Sequence, residues 1–409
     1  MLLVEQHVIR KDDPRFIPVD QESFASKNLY NLANYTERQS FIFQNKYIQY
    51  KALDKLMQKT DAYRALPAKV SQWVLKQVDH DWKAFFAANK AYKKNASAFT
   101  GRPKLPGYKD KLAGRNLLTY TIQAISKSKL KKGIIKPSGL EIEISTIQTK
   151  VNQVRITPRN GFYVVEVIYE RAPSPAKVNF KWVAGIDMGL DVLSALTSNK
   201  PGFRPLLVNG KPLKSINQFY NKRKAELQRR LTGNIHTSNQ IEEISNKRNR
   251  RVRHYLHVAS RQVVDYLIKA EIGVLVVGKN EAWKQAINMG KKNNQAFVSI
   301  PHAQFIDMLA YKCKLAGIKM ILTEESYTSK TSFLDLEPIK KHDSYMGRRV
   351  KRGMFVSSTG RRIHADINGS YNMIRKVFPD TFSKGIVGVV VAPIRFSLRT
   401  HRAHHLRTI

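Results

Sequence analysis

Trp182-Val-Ala-Gly-Ile-Asp187-Met-Gly189 is a short apolar run that closes on an acid and a glycine. It reads as a buried strand whose carboxyl end turns and projects a carboxylate. Val274-Leu-Val-Val277 is a second buried-type strand, and Lys319-Met-Ile-Leu322 is a third, followed directly by Glu324-Glu325. Helical stretches separate them. Residues 214–231 and 240–270 are long and very basic, while Ala303–Leu315 carries Phe305, Met308, Leu309 and Tyr311 on its apolar side. Strands alternating with helices predict an α/β layer with parallel strands. A last helix start is read at Ala365-Asp-Ile-Asn-Gly-Ser-Tyr-Asn-Met-Ile374.

Upstream of this layer the pattern is different. Residues 22–60 read as helix from apolar residues at mixed three and four spacing. Residues 68–93 form a clearer amphipathic helix: Val70, Trp73, Val74, Val78, Trp82, Phe85 and Phe86 share a face, and Pro67 precedes it. The segment Thr100-Gly-Arg-Pro-Lys-Leu-Pro-Gly-Tyr-Lys-Asp-Lys111 cannot be an interior helix, because it holds two prolines and two glycines. It is either a solvated basic loop or a loop that meets a nucleic-acid backbone, with Tyr108 inside the basic run favouring the second. Residues 117–170 alternate with period two, as in Val154 and Ile156 or Tyr163, Val165 and Val167, and predict antiparallel β structure. Pro173 and Pro175 mark a linker.

The 409 residues include 71 Lys+Arg against 31 Asp+Glu, a formal net charge of +40. With 42% hydrophobic residues the chain has enough apolar material for a core, so disorder does not explain the charge. A folded body of this charge repels itself unless a polyanion neutralises it, and nucleic acid is the obvious one. An acidic membrane surface fits less well, as there is no strongly basic amphipathic terminus. The apolar runs are too short to span a bilayer. Met1-Leu-Leu-Val-Glu-Gln lacks the blocks of a secretory signal. A soluble, cytoplasmic prokaryotic protein is expected. With one cysteine, Cys313, neither an internal disulfide nor a four-cysteine zinc site can form.

Candidate chemistry rests on acids at strand ends and helix starts: Asp187, Glu324, Glu325 and Asp366. Taken singly, each reads as a helix cap or an ion-pair partner. Gathered at the carboxyl edge of a sheet, such acids offer hard oxygen ligands for Mg²⁺. Two such ions ~3.5–4 Å apart activate water and stabilise the leaving oxygen in phosphodiester cleavage. Candidate nucleic-acid contacts are Arg102, Lys104, Tyr108, Lys109 and Lys111 in the proline-rich loop. The basic helices add Lys222, Arg223, Arg229, Arg230, Lys247, Arg248, Arg250 and Arg251. His254 and His257 in the same stretch read as surface or RNA-facing residues.

Gly185-Ile-Asp-Met-Gly189 resembles the first RuvC motif of the TnpB family, and Ala365–Ile374 its last. Tyr327-Thr-Ser-Lys-Thr-Ser332 looks like the segment between them, and the loop starting at Thr100 resembles that of a TnpB subgroup. The resemblance implies a transposon-encoded, RNA-guided nuclease related to type V CRISPR effectors. It would use guide RNA from the transposon end and cut double-stranded DNA beside a short flanking motif. The implied fold is α/β: a RuvC/RNase H-like domain over 179–378, with a helical insertion at 211–270 and a zinc-ribbon-like segment at 330–363. A β-barrel-like wedge domain would comprise residues 1–21 and 100–178, a helical recognition domain 22–99, and a tail 379–409. The resemblance implies catalysis by Asp187, Asp366 and a glutamate, with two Mg²⁺ ions; the oligomeric state is left open.

Two departures bear on this. The family places its glutamate just after the fourth strand, where this sequence has Asn280. Three readings follow: a carboxylate relocated to the Glu324-Glu325 pair with Glu325 preferred, substitution by Glu281, or an inactive centre. An inactive centre would make the chain an RNA-guided DNA-binding repressor. A transposase acting directly on transposon ends and a general RNA-binding protein are further alternatives. The family's zinc cysteines fall on Ser332, Asp335, Val356 and Thr359. No zinc is expected there, and packing through Phe333, Leu334, Met354 and Phe355 is expected instead.

Overall fold

The computed structural model describes residues 1–279 and 300–397. Contacts divide the chain into two compact units, Met1–Arg171 and Ala172–Ile409. No helix among the described residues is long and apolar enough to cross a membrane.

The first unit opens with β1 (Leu2–Arg10) and continues through α1 (Phe16–Gln44), α2 (Tyr50–Met57), the single turn α3 (Asp61–Arg64) and α4 (Ala68–Lys94). The helix read over 22–60 is therefore two helices, and the first begins six residues earlier, at Phe16. Asn45 ends α1 in the left-handed region, φ 52°, a conformation that asparagine tolerates better than most residues. On α4 the stripe Val70, Val74, Val78 and Trp82 is buried, as its four-residue spacing requires. Beyond it come β2 (Leu118–Thr121), the short helix α5 (Lys127–Lys131), the paired β3 (Ile134–Ile135) and β4 (Ile144–Ser145), β5 (Gln153–Arg159) and β6 (Phe162–Glu170). The main sheet runs β1-β6-β5-β2, antiparallel throughout. Where a barrel-like wedge was expected, this sheet has two edges, β1 and β2. Asn160-Gly161 makes the tight turn between β5 and β6, with Gly161 at φ +82°. Inward residues of the two strands, Val154, Ile156, Tyr163, Val165 and Val167, pack with α1 and α4 in one core.

The proline-rich loop is neither helical nor loose. Side chains of α1 take up its backbone: Asn34 Nδ2 donates to Pro106 O at 3.0 Å, Arg38 to Pro106 O at 2.9 Å, and Asn31 Nδ2 to Lys109 O at 2.9 Å. Lys27 Nζ donates to Lys111 O at 2.7 Å.

The second unit is built on a six-stranded sheet. Its strands are β7 (Asn179–Met188), β8 (Val192–Ser198), β9 (Leu206–Asn209), β10 (Ile272–Gly278), β11 (Lys319–Thr323) and β15 (Ile394–Phe396), in the order β11-β10-β7-β8-β9-β15. β11, β10 and β7 are mutually parallel, so their carboxyl ends share one edge. β8 and β9 return antiparallel, and β15, contributed by the expected tail, lies parallel to β9. Helices α6 (Lys211–Gln228) and α7 (Asn239–Lys269) form the basic insertion, and α8 (His302–Ala316) leads into β11. Between β11 and α9 (Ala365–Val377) lies a small antiparallel sheet of β12 (Arg348–Lys351), β13 (Met354–Val356) and β14 (Arg362–Ile363). Period two distributes β7 and β10 between two cores. Ala184, Ile186, Leu275 and Val277 pack with α7 and α8, whereas Val183, Val274 and Val276 pack with α9.

Candidate functional site

Asp187 lies on the α9 side of β7, two residues beyond Gly185 and four beyond Val183. α9 sits close to this face because Gly185 has no side chain: a Cβ there would meet the Ser370 carbonyl oxygen and Ile374 Cγ1, the latter at 2.8 Å. Ser370 Oγ donates to Gly185 O at 2.7 Å and pins helix to strand. One residue earlier on α9, Gly369 leaves the space into which Asp187 Oδ2 projects, 2.5 Å from where a Cβ would be. Asp366 stands in the first turn of α9, after His364, whose Nδ1 accepts the Asp366 N–H at 3.3 Å as the helix cap.

The Glu324-Glu325 pair separates cleanly. Glu324 is 59% exposed and pairs with Lys376 at 3.1 Å. Glu325 turns inward to the end of β10, where its side chain lies against Gly278. Burial, followed by the nearby Asp366 and Glu325 carboxylates, holds Asp187 well above its ordinary pKa, against a partial pull from Arg349. Burial likewise pushes Glu325 up to about 7, and raises Asp366 against the pull of His364, Arg349 and Arg352. All three carboxylates are thus raised chiefly by burial, and Asp187 also by the charges of the other two.

Hard oxygen donors and mutual repulsion suit a divalent cation. Among the described residues, however, no three His, Cys, Asp or Glu side chains stand close enough together to ligate one ion as placed. Asn280 and Glu281 lie outside the described residues.

Two residues that the sequence did not single out hold the segment that follows Glu325. Asn368 Nδ2 donates to Thr331 O at 2.8 Å and Asn368 Oδ1 accepts the Phe333 N–H at 2.9 Å. Asn372 Nδ2 donates to Thr328 O and Thr331 O at 2.9 and 2.7 Å. Tyr371 stacks on Phe333 with ring centres 4.2 Å apart. α9 thereby carries Asp366 and also holds the segment that follows Glu325. The available signal was the four-residue spacing of the two asparagines, which places them on one helix face.

In the 330–363 segment Phe333, Leu334 and Phe355 are buried, while Met354 is half-buried. Packing is not the whole connection. The Asp335 carboxylate accepts from Ser332 Oγ at 2.5 Å, Ser358 Oγ at 2.7 Å and Ser358 N at 3.0 Å, joining the two turns that cysteines would occupy. Val356 supplies no side-chain donor atom, and both Asp335 oxygens are already committed, so the residues present do not fit zinc.

The basic residues fall into two groups. Arg102, Lys104, Tyr108 and Lys111 are exposed on the clamped loop, with Arg38 packed 5.0 Å from the Tyr108 ring. Lys109 instead lies over Tyr30 at 4.6 Å, half-buried, and burial lowers its pKa. In the helical insertion Lys222, Arg229, Arg230, Lys247, Arg250 and Arg251 are exposed, and Arg223 is exposed but pairs with Glu226 at 2.8 Å. Arg248 is half-buried and donates to Asn217 Oδ1 at 2.7 Å, tying α7 to α6. His254 is exposed, while burial pushes the half-buried His257 down to about 4.

Residues 163–284 match a family described as "Probable transposase" (OrfB_IS605), and residues 302–373 match "Cas12f1-like, TNB domain". The chain is 25% identical to the TnpB-like protein ORF457 of Acidianus two-tailed virus, over 90% of this chain and 83% of that one. Among solved structures it is similar in fold to the protein of a Cas12f1–sgRNA–target DNA complex. That match has a TM-score of 0.53 and 13% identity, covering 87% of this chain and 81% of the other.

Proposed function

We propose that this chain, which belongs to the TnpB family, is an RNA-guided, metal-dependent DNA endonuclease. In this reading it takes guide RNA from the transposon end and cuts double-stranded DNA beside a short flanking motif. One observation carries the reading: Asp187, Glu325 and Asp366 belong to three separate elements near the edge where β7, β10 and β11 end together, and the charges of Glu325 and Asp366 act on the buried Asp187 there. Crevices at the carboxyl edge of such sheets are where ligands bind.

Asp187, Glu325 and Asp366 would hold Mg²⁺, which when bound supplies an activated water and charge for the leaving oxygen. Asp187 is fixed by its strand and by the space at Gly369. Asp366 is fixed by the His364 cap, and Glu325 by the segment that Asn368 and Asn372 hold. The exposed cations of the insertion and of the clamped loop would meet phosphates and so fix register, while sequence would be read by base pairing with the guide.

The test begins with RNA that co-purifies with the chain, which is sequenced and used to design a matching DNA duplex. The purified complex is then assayed with Mg²⁺. Cutting that requires the match supports the proposal. Guided binding without cutting makes the chain an RNA-guided repressor instead, and cutting of transposon ends without RNA makes it a transposase.

A further inference from the structure

Gly278 closes β10, paired with Thr323 of β11. Glycine in a strand interior or end costs about 0.5–1 kcal/mol relative to alanine and calls for a reason. The backbone gives none, because Gly278 is not among the positive-φ residues. Other glycines of this sheet have backbone neighbours: Gly185 faces the Ser370 carbonyl, and Gly273 faces Asn179 at 2.7 Å. At Gly278 the three atoms nearest to a Cβ all belong to the Glu325 side chain, namely Oε1, Cγ at 2.7 Å and Cδ at 2.9 Å. Real Cβ atoms do not approach other atoms so closely.

We propose that Gly278 is the positioning residue for the relocated carboxylate. Its missing side chain is the seat in which Glu325 reaches the metal site from the neighbouring strand. Adjacent strands are ~4.8 Å apart, so a glutamate rooted beyond β11 must lie across the end of β10 to face Asp187 on β7. Any side chain at 278 would occupy that path. The inference rests on Glu325 being a metal ligand.

The substitution Gly278→Ala separates this role from a structural one. Alanine fits the backbone, and Glu325 can swing out to solvent, so thermal melting of the RNA-bound chain stays at or above that of the unsubstituted protein. Guided DNA cutting falls about 100-fold, as for a displaced catalytic group, with DNA binding unchanged. The double variant Gly278→Ala, Glu325→Gln cuts no worse than Glu325→Gln alone, because the two changes remove one thing. A second readout needs no nuclease activity. Iron(II) with ascorbate cuts polypeptide beside a bound metal, and mass spectrometry maps the cuts. Cuts near 187, 325 and 366 are expected in the unsubstituted complex, with those near 325 reduced about 10-fold or more in Gly278→Ala.

Additive losses in the double variant, undiminished cuts in Gly278→Ala, or no cuts near these positions in the unsubstituted complex would overturn the proposal. Should Gly278→Ala fail to fold, Glu325→Ala in the same chain removes the colliding side chain. Recovered melting then supports a shared space, and continued failure to fold refutes it. Absence of guided DNA cutting by the unsubstituted complex counts against the nuclease reading, while the iron map still decides the role of Gly278.

Discussion

Glu324 and Glu325 are adjacent, yet one faces solvent and the lysine at 376 while the other lies under a neighbouring strand end. Loss of each should therefore differ sharply. Glu324→Gln removes an exposed ion pair worth about 0–1 kcal/mol, so guided cutting should stay within about 2-fold. Glu325→Gln, Asp187→Asn and Asp366→Asn should each lower Mg²⁺-dependent cutting by about 100-fold or more, with guided binding retained in gel-shift assays. A second expectation concerns pH in the absence of divalent metal. The Glu325 carboxyl is raised from 4.5 to about 7 by burial, so the folded chain holds a proton that the unfolded chain releases. Stability is then full at low pH and falls as pH rises from the unfolded value through about 7. Glu325→Gln should raise the melting temperature at pH 8 and leave it unchanged at pH 5, and added Mg²⁺ should narrow the pH 8 difference by binding the unsubstituted site. Equal melting of the two proteins at pH 8 without metal would show that the carboxyl is not strained.

At the scale of elements, the turns near 332–335 and 356–359 are joined through hydrogen bonds to one carboxylate, that of Asp335. Asp335→Ala removes three such bonds from a half-buried site and should cost about 2–4 kcal/mol, read as a lower melting temperature or faster proteolysis near 332–359. Incubation of the unsubstituted protein with a strong chelator should change neither, and stoichiometric zinc in elemental analysis would contradict this. The missing cysteines were plain in the sequence, but the substitute was not. Asp335 looked like a poor zinc ligand, and its serine partner at 358 lies 23 residues away, a pairing that only folding reveals. The strands at 182–188 and 274–277 were legible because buried parallel strands are continuous apolar runs, while the edge strand at 319–322 was legible as a short apolar run although Leu322 is exposed. β15 was not, since three residues set just past the apolar run ending at Pro393 carry too little pattern of their own to announce a strand. Asp187 and Asp366 were singled out through their resemblance to motifs, and the fold brings the two carboxylates near one another. The roles of Gly278, Asn368 and Asn372 depend on which element lies opposite, and sequence order does not state that.

For the whole molecule the net charge of +40 sets how it meets its partners. Each phosphate neutralised releases a counterion, so RNA affinity should fall steeply with salt. Lys247 and Arg251 are exposed on α7, and replacing both with alanine should lessen the slope of log affinity against log salt by about 1.4–1.8. An unchanged slope would place the RNA elsewhere. The distribution of the site along the chain has a further consequence, for the timing of synthesis. Asp187 is made after the first unit, and the basic helices α6 and α7 follow directly, ending at Lys269. Glu325 comes much later, and Asp366 is made 179 residues after Asp187. On the proposed reading, a partly made chain would gather RNA on its insertion while the α9 segment, which carries one acid and anchors another, does not yet exist. If the proposed function holds, the order of translation itself would keep the chain from cutting DNA until the α9 segment of its second unit has been made.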